Sequence, residues 1–458
     1  MSDPRRAALQ YAQENNSRFL AELKEFLTIP SISTDPEHKS DMDRAAQWVS
    51  NQFEELGLTG VEIFPTGGHP VVYGEMLSDF ENATTILVYG HYDVQPAEPL
   101  ELWTTGAFDP VQRGENLYTR GASDMKGQVM ATIKALESVL STGKTPINMK
   151  FLIEGEEEIG SPNLEKFIAN HQKLLKCDFA LNPDTGMIGA ENPTITYALR
   201  GLAYFEVRID GPDHDLHSGI YGGVVHNPAQ ALCELIAGMH DENGYVTLPG
   251  FYDKVKPLGD EERTQLGHLP MGKDFYLEQT GAEALWGEKD YSPVERVGAR
   301  PTLEVNGIYS GFIGEGSKTV LPAWAMAKIS TRLVPDQDPD DVHQQLIRYF
   351  EENTPETVSY KIVYLVGSPA SISDRNSVGV QAMQDAMQRV WKVKPLFRRE
   401  GGSVPVVVLI KDILKIDSVN CGFSLPDDNA HSPNEKLHLP TWNRGIDTLI
   451  HFIYNLAN

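Results

Sequence analysis

Hydrophobic residues at helical spacing alternate with short β-branched runs along the first 200 residues of the chain. Residues 3–27 and 41–58 carry apolar side chains on one helical face, which predicts two amphipathic helices. Runs at 61–64, 71–76 and 85–89 are rich in β-branched and aromatic residues, and they predict strands. The alternation of these elements is typical of an α/β domain in which helices cover a sheet.

The pattern changes after residue 203. Residues 204–210 alternate between apolar and polar side chains, as a half-buried strand does. Further strands are predicted at 323–333 and 359–366, on either side of a helix near 340–352. Residues 245–300 are rich in Pro, Gly and charged residues and predict a loop-rich stretch. Together these elements predict a compact α+β insert.

The first pattern then returns in the last part of the chain. It predicts a helix at 376–391, a strand at 416–421 and a final helix at 440–456. The apolar run 404–410 suits a strand or a helix, and we favour a helix. The predicted domain limits are 1–200 and 368–458 for two parts of one domain, and 201–367 for the insert.

Charge and cysteine usage exclude several classes of function. The chain has 39 Lys and Arg against 64 Asp and Glu, a net charge of −25. This excess repels phosphate backbones and anionic lipids, so we expect no nucleic-acid partner and no membrane association. The three cysteines are far apart and predict neither a disulfide framework nor a thiolate zinc site. Without the apolar core of a signal peptide near its start, the chain is expected to be cytoplasmic.

Histidine and carboxylate side chains lie at successive predicted strand ends or strand-to-helix loops. These residues are His91, Asp93, Asp124, Glu157, Glu158 and Asp184, and His431 follows a later strand. Singly, each has a plain interpretation: Asp124 suits a helix N-cap, and the acidic run 154–158 suits a solvated loop. Because ligands bind at the carboxyl ends of strands in α/β sheets, the whole set instead predicts a metal site.

The composition of this set indicates the chemistry. Two histidines and three carboxylates exceed what one tetrahedral zinc takes from protein, and they suit two divalent metal ions that share a carboxylate. Imidazole with carboxylate favours zinc, with manganese or cobalt as alternatives. Glu157 stands next to a candidate ligand and could act as a general base. The carboxylate of Asp93 could bond the second ring nitrogen of His91 and fix its tautomer.

The motifs that carry these residues resemble those of the M20 metallopeptidase family. They are Gly90–Pro96, Arg120–Asp124, Glu154–Ser161, Asn182–Asp184 and His431–Glu435. Four further motifs are most similar to the dipeptidase branch of that family: Asp215–Gly223, Ser317–Pro322, Thr331–Pro335 and Arg399–Ser403. The resemblance implies a di-metal exopeptidase-type α/β catalytic domain with a mixed central sheet flanked by helices. It also implies that the α+β insert is a ferredoxin-like lid and dimerisation domain.

The resemblance assigns metal ligands residue by residue. His91, Asp124 and Asp184 would hold one ion. Asp124, Glu158 and His431 would hold the other, so Asp124 would bridge the pair. The family pattern also implies a cis peptide bond after Asp124.

The resemblance also assigns catalytic and substrate-binding residues. Glu157 would activate a metal-bridging water, with Asp93 as the partner of His91. His217 and Thr319 would reach the site from the lid of the partner subunit, which makes a homodimer the expected assembly. A substrate carboxylate would be bound by the residues Arg332, Gly402 and Ser403.

The expected reaction is hydrolysis of dipeptides at the bond next to a free C-terminal carboxylate. The alternative is an N-acyl-amino-acid deacylase of the same family, of the acetylornithine or succinyl-diaminopimelate type. The long segment 245–300 and the loop 215–223 favour the dipeptidase.

Overall fold

Helices and strands alternate along the chain in the computed structural model, which describes residues 3–402 and 404–457. The α-helices are α1 (Pro4–Leu27), α2 (Lys39–Glu55), α3 (Lys126–Leu140), α4 (Leu164–Asn170), α5 (Ser218–Tyr221), α6 (Pro228–Ala237), α7 (Asp260–Gly267), α8 (Lys273–Thr280), α9 (Pro293–Gly298), α10 (Pro339–Asn353), α11 (Val378–Trp391), α12 (Pro405–Leu409) and α13 (Leu439–Asn455). Short 3-10 turns lie at Pro36–His38, Leu100–Leu102 and Glu157–Ile159, and a π-helical turn lies at Ile410–Leu414.

The strands are mostly short. They are β1 (Thr59–Phe64), β2 (Val71–Met76), β3 (Thr85–His91), β4 (Val111–Arg113), β5 (Asn116–Tyr118), β6 (Asn148–Glu154), β7 (Phe179–Asn182), β8 (Thr194–Leu199), β9 (Gly201–Asp210), β10 (Leu216–His217), β11 (Thr302–Ser310), β12 (Val320–Leu321), β13 (Trp324–Leu333), β14 (Ser359–Ser368), β15 (Ser371–Ile372), β16 (Leu396–Glu400), β17 (Ser418–Cys421) and β18 (Lys436–His438). The chain forms two compact units: Met1–Tyr197 with Ser373–Phe397 and Pro405–Asn458, and Ala198–Ile372 with Arg398–Val404.

The first unit is built on a mixed sheet whose strands run in the order β1-β2-β6-β3-β7-β17-β8. Strand β3 is parallel to β6 and β7, and β17 is parallel to β7. Strands β2 and β8 are antiparallel to their neighbours β6 and β17. The carboxyl ends of the four parallel strands therefore lie at one edge of the sheet, where α/β folds place their ligands.

Helices cover this sheet and explain its apolar strands. Nearly every residue of β3 is buried, as expected for a strand covered on both faces. Helices α1, α3, α11 and α13 pack against one another, and α3 is almost wholly buried. The predicted α/β class, with a mixed central sheet flanked by helices, is confirmed.

The second unit contains a four-stranded antiparallel sheet with the order β11-β13-β9-β14. Helix α6 follows β9, and α10 connects β13 to β14. This βαββαβ order is the ferredoxin-like arrangement. Every second residue of β9 is buried, and these side chains form one core with α6 and α10. The alternation in 204–210 thus arises from a sheet with helices on one face.

Several elements differ from the sequence prediction. Strand β11 was not predicted, because its residues are mostly exposed and show no regular apolar alternation. The stretch 245–300, predicted as loop-rich, contains the short helices α7, α8 and α9. The predicted helix at 404–410 is confirmed, as α12. No helix in residues 3–402 and 404–457 is both long enough and apolar enough to cross a membrane.

Candidate metal centre

His91 is the last residue of β3, and its side chain is fully buried. Its Nδ1 lies 3.0 Å from the main-chain oxygen of Asp93 and 3.4 Å from the Asp93 carboxylate. The nearer acceptor is therefore the main-chain carbonyl, which fixes the proton on Nδ1 and leaves Nε2 facing the sheet edge. Within the described residues, His91 Nε2 is buried and has no hydrogen-bond partner.

Asp124 lies between the two histidines of the predicted set. Its Oδ1 is 3.3 Å from His91 Nε2, and its Oδ2 is 2.8 Å from His431 Nε2. Asp124 precedes α3 by two residues, with Met125 at the N-cap position, so it does not cap that helix. The peptide bond between Asp124 and Met125 is cis, as the family resemblance predicted.

The structure brings the predicted ligand atoms together in two groups. His91, Asp124 and Asp184 form one group, and Asp124, Glu158 and His431 form the other. Within each group the candidate ligand atoms lie within 4.8 Å of one another. Asp124 belongs to both groups, and each of its two carboxylate oxygens faces one of the two histidines.

The chemistry of these residues fits divalent metal ions. Among the described residues, the ion pairs of Asp124, Asp184 and Glu158 involve only histidines. Three converging carboxylates repel one another unless a cation or a proton lies between them. The buried His91 Nε2 also needs a partner. A metal ion satisfies both requirements, and oxygen with imidazole nitrogen is a suitable ligand set.

The electrostatics of these residues show the same demand for positive charge. Hydrogen bonds to Asp124 and Glu158 raise the pKa of His431 to about 10. Burial raises the pKa of Asp184 to about 7, and the charge of Asp124 adds to the effect. Burial alone would raise the pKa of Asp124, but the neighbouring imidazoles of His431 and His91 hold that pKa well below its usual range.

Glu157 begins the 3-10 turn Glu157–Ile159 that follows β6. The Asp93 carboxylate accepts the main-chain N–H of Glu157 at 3.3 Å and that of Glu158 at 3.0 Å. Burial raises the pKa of Glu157 well above its ordinary value, and the charge of Asp184 adds to this, while His91 opposes it. Asp93 therefore connects the end of β3 to the turn that carries the candidate base.

Residues that sequence reasoning did not assign also hold this site. Gln95 Nε2 donates to the Glu158 carboxylate at 2.7 Å, and Asn182 Oδ1 accepts the main-chain N–H of Asp184 at 3.2 Å. The Glu435 carboxylate accepts the main-chain N–H of Asp124 at 3.1 Å. All three lie inside motifs that the sequence singled out. Their partners depend on the fold and leave no local signal.

Four of the five predicted substrate-binding residues, His217, Thr319, Arg332 and Gly402, lie in the second unit. Strands β10 and β12 pair there, which sets His217 opposite Val320 and next to Thr319; both His217 and Thr319 are exposed. Arg332 lies in β13, and burial lowers its pKa.

A cavity of about 390 Å³ in the same unit is lined in part by Arg332 and Arg200. Arg200 Nε donates to the main-chain oxygen of Gly401 at 3.0 Å, next to Gly402. Arg200 therefore connects the wall of this cavity to the turn that was predicted to bind substrate. Ser403, the last predicted residue, lies outside the described residues.

Comparison with known proteins identifies the family. The profile of "Peptidase family M20/M25/M40" matches residues 87–455. The chain is 31% identical over 459 residues to the Cys-Gly metallodipeptidase DUG1 of Candida albicans, covering 95% of this chain and 94% of that protein. It is 29% identical over 466 residues to the Beta-Ala-His dipeptidase of Homo sapiens, covering 98% of this chain and 92% of that protein.

A solved structure extends this likeness to the fold. The M20 family metallo-carboxypeptidase Sso-CP2 from Sulfolobus solfataricus is 33% identical, with a TM-score of 0.86 over 96% of this chain and 99% of that chain. Fold and site together are those of a metal-dependent peptidase. The chain belongs to peptidase family M20/M25/M40. The predicted family and the predicted enzyme class, a metallopeptidase of the dipeptidase branch, are confirmed.

Proposed function

We propose that this enzyme hydrolyses dipeptides at the peptide bond next to a free C-terminal carboxylate, in the cytoplasm. The observation that carries the proposal is the position of Asp124, whose carboxylate faces His91 and His431 and belongs to both candidate ligand groups. Relatives at about 30% identity over nearly the whole chain are named dipeptidases, which supports small peptides as the substrate class.

We assign two divalent metal ions to this site, with zinc as the preferred ion because the donors are imidazole and carboxylate. His91 and Asp184 would hold one ion and Glu158 and His431 the other, with Asp124 shared. Bound there, the ions supply Lewis acidity and lower the pKa of water.

Glu157 has the role of general base. Its carboxylate takes a proton from the attacking water as the water oxygen bonds to the scissile carbonyl carbon. It then gives that proton to the amine nitrogen as the C–N bond breaks. Asp93 supports this role, because it holds the main-chain N–H groups of Glu157 and Glu158. The candidate base thus has a fixed position beside the strand that carries His91.

Substrate recognition is assigned to the second unit. The planar fork of Arg332 suits a terminal carboxylate, and Gly402 with Ser403 would add hydrogen bonds to the same group. His217 and Thr319 lie side by side and exposed on a two-stranded ribbon, which suits a contribution to the site of a partner subunit. Residues 201–367 would then serve as the lid and as the contact of a homodimer.

The 33% identity to a metallo-carboxypeptidase makes longer peptides a second candidate substrate class. A carboxypeptidase and a dipeptidase both need a free C-terminal carboxylate, but they differ in the length of the acyl side that they accept. The deacylase alternative differs in the acyl group itself, acetyl or succinyl in place of an aminoacyl group.

One substrate panel separates these activities. It contains dipeptides, blocked longer peptides, and N-acetyl and N-succinyl amino acids, all with the same C-terminal residue, and each dipeptide is paired with its C-terminal amide. We expect the highest kcat/KM for the free dipeptides and little turnover of the amides. Robust deacylation without dipeptide turnover would overturn the proposal. Arg332→Lys, which keeps the charge but loses the fork, should raise KM for the free dipeptides.

A further inference from the structure

The loop that carries His431 has a buried carboxylate at each of its ends. Asp428 stands three residues before His431, and Glu435 stands four residues after it. Both side chains are fully buried or nearly so, while 55% of the His431 side chain is exposed. His431 itself has a φ of 63°, in the left-handed region. The position of this candidate ligand therefore depends on what holds the two ends of its loop.

Glu435 binds the segment that carries Asp124. Its Oε1 accepts the main-chain N–H groups of Ser123 at 3.0 Å and Asp124 at 3.1 Å. Its Oε2 accepts the main-chain N–H of Gly121 at 3.0 Å and a guanidinium N–H of Arg120 at 2.7 Å. Four donors thus satisfy the four acceptor positions of one buried carboxylate.

Asp428 holds the other end of the loop to the same segment. Its Oδ2 accepts the hydroxyl of Ser123 at 2.8 Å and the main-chain N–H of Leu425 at 2.8 Å. Its Oδ1 accepts Lys436 Nζ at 3.1 Å, and the main-chain N–H of Lys436 donates to the Asp428 carbonyl at 2.9 Å. These last two bonds close the base of the loop, so residues 429–434 project from a fixed frame.

We infer that Glu435 and Asp428 are positioning residues, which set the spacing between His431 and Asp124 for the metal ion proposed between them. This inference rests on the proposed function, because it assumes that the two groups bind metal. The segments 120–124 and 428–436 lie about three hundred residues apart in the chain. These two carboxylates join them, beside the hydrogen bond from the Thr119 main-chain N–H to the Glu435 carbonyl and the pairing of β5 with β18. The first ion would share Asp124 but take its other two ligands, His91 and Asp184, from other segments, so it depends less on this frame.

The test is metal binding by the metal-free protein. Wild type and Glu435→Gln are titrated with Zn²⁺ against a chromophoric chelator, and the two affinities are fitted per folded protein. We expect Glu435→Gln to weaken the affinity for one ion about 10- to 100-fold and the other much less, because supporting hydrogen bonds tune metal sites to that extent. Substitution with Co²⁺ adds a spectroscopic signature, since a displaced His431 changes the d–d absorption of one ion only.

Glu137→Gln is the matched control. Glu137 also accepts bonds from cationic side chains, Lys134 and Arg18, in the same unit. Lys126 is the first residue of α3, at the end of the helix next to Asp124. At a rise of 1.5 Å per residue, Glu137 lies about 16 Å further along the helix. If Glu435→Gln only lowered the stability of the fold, it should behave like this control, and both metal affinities of the folded protein would stay unchanged.

Ser123→Ala gives a milder second variant, because it removes only the hydroxyl bond to Asp428. We expect a several-fold weakening of the same ion, and this variant decides the question if Glu435→Gln does not fold. Wild-type affinities for both ions in the folded variants would overturn the inference and leave the proposed function standing. A wild-type protein that binds no metal would overturn both.

Discussion

The Asp93 carboxylate accepts the main-chain N–H of Glu158 at 3.0 Å, and its other oxygen accepts that of Glu157 at 3.3 Å. The Asp93 main-chain oxygen meanwhile lies 3.0 Å from His91 Nδ1. One residue therefore fixes the imidazole through its backbone and the candidate base through its side chain. The predicted role of Asp93, a carboxylate beside the imidazole, describes only part of this arrangement.

Asp93→Asn should lower kcat about 10- to 100-fold, because an amide cannot accept both N–H groups and the turn at Glu157 loses its fixed position. KM should change little, since the substituted group does not bind substrate. The control is Asp178→Asn: Asp178 accepts the main-chain N–H of Thr85 at 2.8 Å, at the opposite end of β3. Equal kinetic losses in the two variants would show a general weakening of the strand and contradict this account.

Arg120→Met should destabilise the fold. Arg120 and Glu435 form an ion pair with both side chains buried, and loss of the guanidinium leaves a buried carboxylate without its cation. Such changes cost about 3–5 kcal/mol. Arg18→Met provides the comparison, because the Arg18 side chain is 42% exposed and exposed pairs contribute about 1 kcal/mol or less. Urea unfolding of both variants measures the difference, and a small effect at Arg120 would contradict the interpretation.

Gly422→Ala should disturb the loop that carries Asp184. A Cβ at this position would lie 1.7 Å from the carbonyl oxygen of Thr185 and 2.6 Å from that of Pro183. Because main-chain atoms cannot move aside cheaply, we expect a loss of about 1–3 kcal/mol or more, together with weaker metal binding. Gly267→Ala is the control, since its added Cβ meets no atom within 4 Å. A Gly422→Ala protein whose free energy of unfolding and metal content both equal those of wild type would contradict this prediction.

His451 on α13 should make the free energy of unfolding decrease in acid. Burial lowers its pKa to about 4, and the positive charges of Arg5, Arg389 and Lys392 act in the same direction, against a weaker opposite effect of Asp3. The folded-state pKa lies below the ordinary value, so protonation favours the unfolded chain. The contribution is complete above about pH 6.5 and is lost as the pH falls toward about 4.

Urea unfolding at about pH 7 and about pH 5 measures this effect. His451→Phe should lose less stability between the two pH values than wild type does. His268→Asn should match the wild type, because His268 is exposed. An equal loss in His451→Phe and wild type would assign the pH dependence to other groups.

Most of the ligand set could be predicted from the sequence because His91, Glu158 and Asp184 follow strands whose apolar runs are easy to identify, while Asp124 precedes the amphipathic helix α3. His91 ends β3, and Asp184 stands two residues beyond β7. Parallel neighbours bring such ends to one sheet edge, so order along the chain becomes proximity in space. His431 follows β17 in the same way, although its loop is longer.

The supporting contacts could not be predicted in this way. Asp124 and Glu435 are 311 residues apart, and their hydrogen bond depends on how two loops meet. Strand β11 was missed because its exposed side chains give no apolar alternation, although backbone bonds to β13 define it. Periodicity reports burial, and it carries little information where a strand is exposed or where the contact involves main-chain atoms.

The most direct test of the central claim is the kcat of Glu157→Gln on a free dipeptide, measured at saturating metal. Glu156→Gln is the matched control, because the carboxylate of the adjacent Glu156 already accepts hydrogen bonds from the Asn163 side chain and from the main-chain N–H of His69. We predict that Glu157→Gln binds metal as wild type does and loses about 10²- to 10⁴-fold in kcat, as expected when a general base is removed. A Glu157→Gln enzyme with wild-type kcat, or a larger loss in Glu156→Gln, would contradict the account.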